Sequence, residues 1–181
     1  MIKKETCIGS ASADKERMFK YKVFAAAFSY PDNNFFAFFP GIAPEKEKIM
    51  LEYDRLFRAE CIWLYSAEHV AENEFQRSNY MADIMGFYRA FGVEPDGDRP
   101  DSISSEFEFM HYLIFKEINA PDKEKAFISL DSQKKFFREH LYPVANKIAE
   151  KIISQTKNAF YLEVAQDMIK FLESEKCVIA E

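Results

Sequence analysis

The sequence predicts an all-α protein, a single-domain helical bundle of about ten helices, short ones counted, with a hinge loop at its centre. Apolar residues recur at three- and four-residue intervals through most of the chain. No stretch alternates with period two beside hairpin-type turn residues. The 181 residues, nearly half of them hydrophobic and nineteen of them phenylalanine, suffice for one sizeable core.

After a polar start, Ser12 is placed to cap a first helix, with Asp14 and Glu16 where carboxylates favour the helix dipole. Met18, Tyr21, Ala25 and Phe28 share a face of it, and Pro31 ends it. Phe35, Phe36, Phe38 and Phe39 form a short aromatic segment closed by Pro40-Gly41. Pro44 opens the next helix, where Ile49, Tyr53, Leu56 and Phe57 align. Residues 58–74 read as short helices around Trp63. A strong helix then runs from about Phe75 to Phe91, with Met81, Ile84, Met85, Tyr88 and Phe91 on one side and Gly92 as its stop. The loop 92–100 divides an N-terminal half, 1–91, from a C-terminal half, 101–181. A helix from Asp101 to Lys116 follows, then a turn at Asn119-Ala120-Pro121. The next helix, roughly 122–141, carries Phe127, Leu130, Phe136, Phe137 and Leu141. Pro143 predicts a break and a restart at Val144, since proline lacks the helical donor and crowds the preceding turn. Val144, Ile148 and Ile152 continue one face, and Asn158 caps a last helix striped by Tyr161, Val164, Ala165, Met168 and Leu172.

Charge and motifs narrow the function. A net charge of −6 with no basic stripe argues against nucleic-acid binding and suits a cationic partner. Cys7, Cys61 and Cys177 are odd in number and far apart, without a C-x-x-C pair, which suggests neither zinc nor a disulfide framework and fits a reducing compartment. No apolar run approaches the ~18 residues of a membrane span, and Met1 to Ser10 lack the apolar core of a signal peptide. The expected location is the cytoplasm, peripheral to a membrane at most. Glycine-rich phosphate loops and the G-x-S-x-G elbow are absent, so neither an enzyme nor a cofactor is expected. Glu108-Phe109-Met110-His111 is an E-x-x-H on a helix, the ligand pair of di-iron bundles. A second such pair is missing among the three histidines, and Glu108 and His111 fall away from the apolar arc, so both read as solvated surface rather than metal ligands.

The stretch Gly92 to Met110 is the most informative. Glu94, Asp96, Asp98 and Asp101 cluster around the loop, interrupted by Arg99. Aspartates favour turns and caps, and for Asp101 a cap and a ligand contact need not exclude each other. At ~100° per residue, Ile103, Phe107, Met110, Leu113 and Ile114 form one arc that contains Glu106. A core-facing carboxylate is costly without a partner. Glu106 either accepts backbone or tyrosine hydrogen bonds near the helix start or helps to read a cationic ligand. His140, on a face with Gln133 and Phe136, is either a half-buried structural histidine or part of a binding surface.

Glu94, Pro95, Pro100, Asp101, Glu106, Phe107, Phe109 and Met110 fit E-P-x(4)-P-D-x(4)-E-[LF]-x-F-M, which resembles the signature of the TorD/DmsD-like redox-enzyme-maturation chaperones. Tyr53, Leu56 and Phe57 resemble the family's Y-x-x-L-F element, Tyr65-Ser66 its Y-x-S, and Gly86-Phe87-Tyr88 with Phe91-Gly92 its G-F-Y-x-x-F-G helix end. Gln133, Phe136, His140 and Leu141 resemble Q-x-x-F-x-x-x-H-L, and Phe160-Tyr161 the late F-Y pair. The matches run in family order from about residue 50 to 172. Ser102 stands where a histidine is usual, and Tyr142-Pro143-Val144 replaces a tryptophan that often follows the His-Leu pair.

The resemblance implies a cytoplasmic chaperone that binds the twin-arginine signal peptide of a molybdopterin-containing oxidoreductase and holds the apoenzyme until its cofactor is inserted. On that reading Glu94, Asp96, Pro100, Asp101, Glu106, Phe109 and His140 contact the peptide. Gly92, Pro95 and Gly97, with Phe87 and Tyr88, form the hinge, through which relatives exchange halves into a swapped homodimer. A NarJ-like assembly factor for a membrane-associated reductase, engaging the partner's N-terminal tail, is the neighbouring alternative. A di-iron carboxylate enzyme is the reading from another class.

Overall fold

A computed structural model of the protein describes residues 11–60, 62–95 and 99–180. Asp96 and Gly97, expected in the site and the hinge, lie outside the described residues, as do Asp98, Cys7 and Cys61. The described chain is all-α. Its segments are α1 (Ala11–Ala27), α2 (Asn33–Phe38), α3 (Lys46–Asp54), α4 (Ala67–Val70), α5 (Glu74–Ala90), α6 (Ile103–Ile118), α7 (Lys123–Phe136), α8 (Tyr142–Gln155) and α9 (Ala159–Ala180). A 3₁₀ stretch, Pro40–Glu45, precedes α3, and π turns at Arg55–Ala59 and Phe137–Leu141 extend α3 and join α7 to α8. With α7 and α8 joined, eight helices are described rather than about ten. No described residue belongs to a strand, and one isolated antiparallel bridge pairs Tyr65 with Ser102.

The centre of the fold is α6. Its arc of Ile103, Phe107, Met110, Leu113 and Ile114 is fully buried, as its periodicity demands. The most extensive helix pairing is α1 on α6. There the Phe107 ring sits within 5.5–6.3 Å of Tyr21, Phe24 and Phe28, centroid to centroid, and Phe171 of α9 closes the cluster 4.9 Å from Tyr21. Such pairs add roughly 0.5–1.5 kcal/mol each beyond area burial. A polar link fixes α9 against α1. Glu175, 1% exposed, accepts from Arg17 Nε at 2.7 Å, Arg17 Nη2 at 3.0 Å and Tyr21 Oη at 2.9 Å. The buried core is contiguous across the 92–100 loop, since α1 and α5 on one side pack with α6 to α9 on the other.

Local signals place the helix ends. Asn73 Oδ1 accepts from Gln76 N and opens α5, and Gly92 at φ +69° closes it in the left-handed region that favours glycine. Asn158 Oδ1 accepts from Phe160 N and Tyr161 N at the head of α9, as its position predicts. The α9 stripe of Tyr161, Val164, Ala165, Met168 and Leu172 is buried.

Several expectations need correction. Ser12 already lies within α1 rather than ahead of it. Residues 62–64 form no regular element, and among the described residues of the 58–74 region the α-helical ones are Ala67–Val70 and Glu74, which opens α5. Asp101 precedes α6, whose N-cap is Ser102, and Ser102 makes no side-chain cap bond. Phe127 is exposed on the outer side of α7. Pro143 does not break the helix. Tyr142 N donates to Phe137 O, five residues back, and the widened turn relieves the clash between the proline ring and the turn before it. Glu108 and His111 are half-buried against α1, with Glu108 paired to Lys22 and His111 Nδ1 2.9 Å from Met18 O. No described helix is long and apolar enough to cross a membrane.

Candidate functional site

Two grooves meet at the N-terminal turn of α6, with Ser104 in the wall of both. The first, about 370 Å³, runs between the end of α5 and α6. Val93, Glu94 and Pro95 form one side, Phe109 and Tyr112 the other, and Tyr88 the floor, with Glu108 at the rim. Gly92 makes this wall, because its left-handed turn sends the chain back from α5 alongside α6, and Val93 N returns to Tyr88 O at 3.0 Å. The second, about 470 Å³, lies on the other side of the same turn. It is walled by Phe28, Tyr30, Tyr53, Phe57, Trp63 and Tyr65, with Arg58 stacked 4.8 Å over Tyr30. Trp63 is 46% exposed. With the neighbouring aromatics it makes this groove a candidate binding surface.

Beside the second groove, joined to it through Tyr65, sits an ion cluster built on one buried carboxylate. Asp101, with no exposed surface, receives Arg99 Nε at 2.9 Å on Oδ1 and Arg99 Nη2 at 2.8 Å on Oδ2. Oδ2 also accepts from Ala67 N at 3.0 Å, so Asp101 caps the short α4 rather than α6. Arg99 Nη1 reaches Glu68 Oε1 at 3.0 Å, and its guanidinium lies 4.5 Å over the Tyr65 ring. Two backbone bonds stitch the same region together, Ser66 N to Asp101 O and Ile103 N to Leu64 O, both 2.8 Å.

Glu106 lies behind this cluster. It is completely buried, and neither carboxyl oxygen has a hydrogen-bond partner of good geometry; the Ser66 hydroxyl beside it is likewise unpartnered. Burial, reinforced by the nearby Asp101 charge and only partly offset by Ser66, pushes the Glu106 carboxyl well above the usual carboxylate range. The folded protein therefore holds the proton of this side chain more tightly than the unfolded chain does.

The expected site residues thus separate by position. Glu94, Pro95, Tyr88 and Phe109 come together in the first groove. Pro100 is tied to them through Tyr88 Oη, which donates to its carbonyl at 2.9 Å. Asp101 and Glu106 stand inside the protein, and His140 stands apart from both grooves. His140 is 3% exposed and packed among Tyr80, Phe87 and Phe136 at 5.0–5.6 Å. Its Nε2 lies 3.0 Å from Asp83 Oδ2 at an angle that makes no good hydrogen bond, and burial lowers its affinity for a proton.

Sequence reasoning gave no site role to Tyr30, Arg58, Trp63, Glu68 or Arg99. For Arg99 a signal existed. Proline favours the second position of a β-turn, and Arg99 to Ser102 form one, with Ser102 N donating to Arg99 O at 3.1 Å. That turn folds the Arg99 side chain onto Asp101. Among the described residues no cluster of histidine, cysteine and carboxylate side chains is arranged to hold a metal ion.

The family model described as "Nitrate reductase delta subunit" matches residues 39–150, a span that contains both grooves' loop and helix walls from Tyr53 to Tyr112. The chain is also similar to the perchlorate reductase assembly chaperone protein of Dechloromonas aromatica (strain RCB), 24% identical over 115 residues, covering 61% of this chain and 50% of that protein. The chain spans half the length of that curated relative. No solved structure matches it.

Proposed function

This chain belongs to the nitrate reductase delta subunit family, the NarJ/TorD-type chaperones of redox-enzyme maturation, and from that premise we propose that it binds the N-terminal segment of a reductase client. Members of this family assemble enzymes and are not catalysts. The client in this reading is a molybdopterin-containing oxidoreductase carrying a twin-arginine signal, held in the cytoplasm as an apoenzyme until its cofactor is in place. The observation that supports it is the pair of apolar-walled grooves meeting at Ser104, with Glu94 in the side of one and Glu108, shared with Lys22, at its rim. A twin-arginine segment offers two guanidinium groups followed by a modest apolar stretch. Carboxylates at a groove rim favour the former, and Tyr88, Phe109 and Tyr112 with the aromatics of the second groove favour the latter. Rim charges set specificity and on-rate more than affinity, which suits a chaperone that must release its client.

The names of the family and the relative also favour a second reading, a NarJ-like factor that engages the N-terminal tail of a membrane-associated reductase. One experiment separates the two. A tagged chain is purified from its native cells, the co-purifying oxidoreductase is identified by mass spectrometry, and its N-terminal peptide is titrated by calorimetry. Binding that is lost when the peptide's arginine pair becomes glutamine supports signal recognition. Binding indifferent to that change supports the tail reading. If no N-terminal peptide of a co-purifying oxidoreductase binds, both fail.

A further inference from the structure

We propose that Asp101, Glu68 and the face of Tyr65 form a guanidinium site that the chain's own Arg99 fills in the unliganded protein, and that an arginine of the client takes its place. The inference rests on the reading that the client segment carries arginine. Three features of the cage select a guanidinium over an ammonium. Asp101 takes two parallel N–H bonds at 2.9 and 2.8 Å, which needs a planar fork. Glu68 takes a third from the remaining nitrogen at 3.0 Å. Tyr65 presents its ring at 4.5 Å to the flat face of the group. A lysine ammonium lacks the planar fork and cannot meet all three at once.

A surface clamp of this kind would ordinarily be only a loop anchor. Two observations set this one apart. Its carboxylate is fully buried, yet its guanidinium partner is 37% exposed and so is the removable member. Beside Asp101, Glu106 and Ser66 present buried polar atoms without partners, so the polar capacity at this point exceeds what the chain itself uses. The cage is also placed for such an exchange, because Tyr65 is at once its floor and a wall of the second groove. Replacing one guanidinium by another leaves every bond of the cage remade. Occupancy by Arg99 then acts as a competitor, and the apparent affinity for the client is reduced by the fraction of time the cage is closed.

The test uses Arg99→Ala and Arg99→Lys in the full chain, with two kinds of probe. Thermal melts of Arg99→Ala are followed with millimolar ethylguanidinium or ethylammonium at matched ionic strength. Calorimetry then compares a synthetic peptide bearing Arg-Arg and an apolar segment with its Lys-Lys counterpart. The expected result is a lowered melting temperature that ethylguanidinium alone restores. Both variants should bind the Arg-Arg peptide about tenfold more tightly than the natural chain, with no gain for Lys-Lys. Should Arg99→Ala fail to fold, Arg99→Lys still carries the affinity comparison. Equal rescue by both cations, or an Arg-Arg affinity unchanged or weakened in the variants, overturns the proposal. Selective rescue without peptide binding to any form keeps the guanidinium site and refutes the signal-peptide reading instead.

Discussion

Replacing Glu106 by glutamine removes a titrating group from the centre of α6 while keeping its size, and the pH dependence of stability then reads the state of that group directly. In the natural protein the carboxyl is fully buried, and burial and the Asp101 charge hold its proton affinity well above the usual carboxylate range near 4.5. Above pH 4.5 the unfolded chain releases this proton and the folded chain keeps it. The folded state therefore binds more protons across that window, and stability falls with rising pH at about 1.4 kcal/mol per pH unit until the folded group itself titrates. Below pH 4.5 both states are protonated and the contribution is fully present. Glutamine has no such slope. Urea unfolding at a series of pH values above 4.5 should show the difference in stability moving in favour of Glu106→Gln as pH rises, at up to about 1.4 kcal/mol per unit for as long as the folded carboxyl keeps its proton. His140 titrates in part of the same range with the opposite sign, because burial lowers its proton affinity and stability is lost as pH falls below about 6.5. That term is common to both proteins and cancels in their difference. Two parallel pH profiles would refute a raised proton affinity at Glu106.

Asn158→Ala should cost about 1 kcal/mol in chemical unfolding, whereas Asn158→Asp should be close to neutral, since either side-chain oxygen accepts the two amides at the head of α9. Glu175→Gln removes the charged partner that Arg17 meets at 2.7 Å and leaves it Asp14 at 3.3 Å, so stability should fall by about 1.5–3 kcal/mol; a loss below about 0.5 kcal/mol would mean that this link between α1 and α9 is replaceable by water. Exchange of halves through the loop after Gly92 predicts a slowly interconverting dimer on size exclusion with light scattering, and a chain that stays monomeric even after refolding rules that route out.

Much of this architecture is legible from spacing alone. The α6 arc, the α5 boundary at Gly92, the Asn158 cap and the α9 stripe follow from period and local hydrogen-bond chemistry, which act within a few residues. Phe127 defeats the same reasoning, because an apolar residue at a plausible helical interval lies on the exposed side of α7. The site is harder to read. Acidic character at Glu94 and Asp101 is plain in the sequence, but which carboxylate meets solvent depends on Arg99 folding back two residues and on Glu68 arriving from α4. The aromatic groove draws on residues from Phe28 to Ser104, and nothing local in any of those segments announces that they meet. Glu106 is an intermediate case, since its burial was visible in the helical wheel and its lack of a partner was not.

The π turn at Phe137–Leu141 carries an implication about phase. From Phe136 to Ile152 the buried residues repeat every four positions, Phe136, His140, Val144, Ile148 and Ile152, with Phe137, Leu141, Ala145 and Ala149 in a parallel row. In an uninterrupted α-helix a four-residue repeat drifts by ~40° per step, so this row would rotate roughly 160° over its length and carry Ile152 to the far side. One extra residue accommodated in a wide turn winds the row back by about 100° and returns the second half to the core. The repeat, not the proline, requires the irregular turn. Pro143→Ala should consequently leave the bond from Tyr142 N to Phe137 O in place, visible as an unchanged pattern of amide protection, because restoring a regular helix would turn Val144, Ile148 and Ile152 out into water.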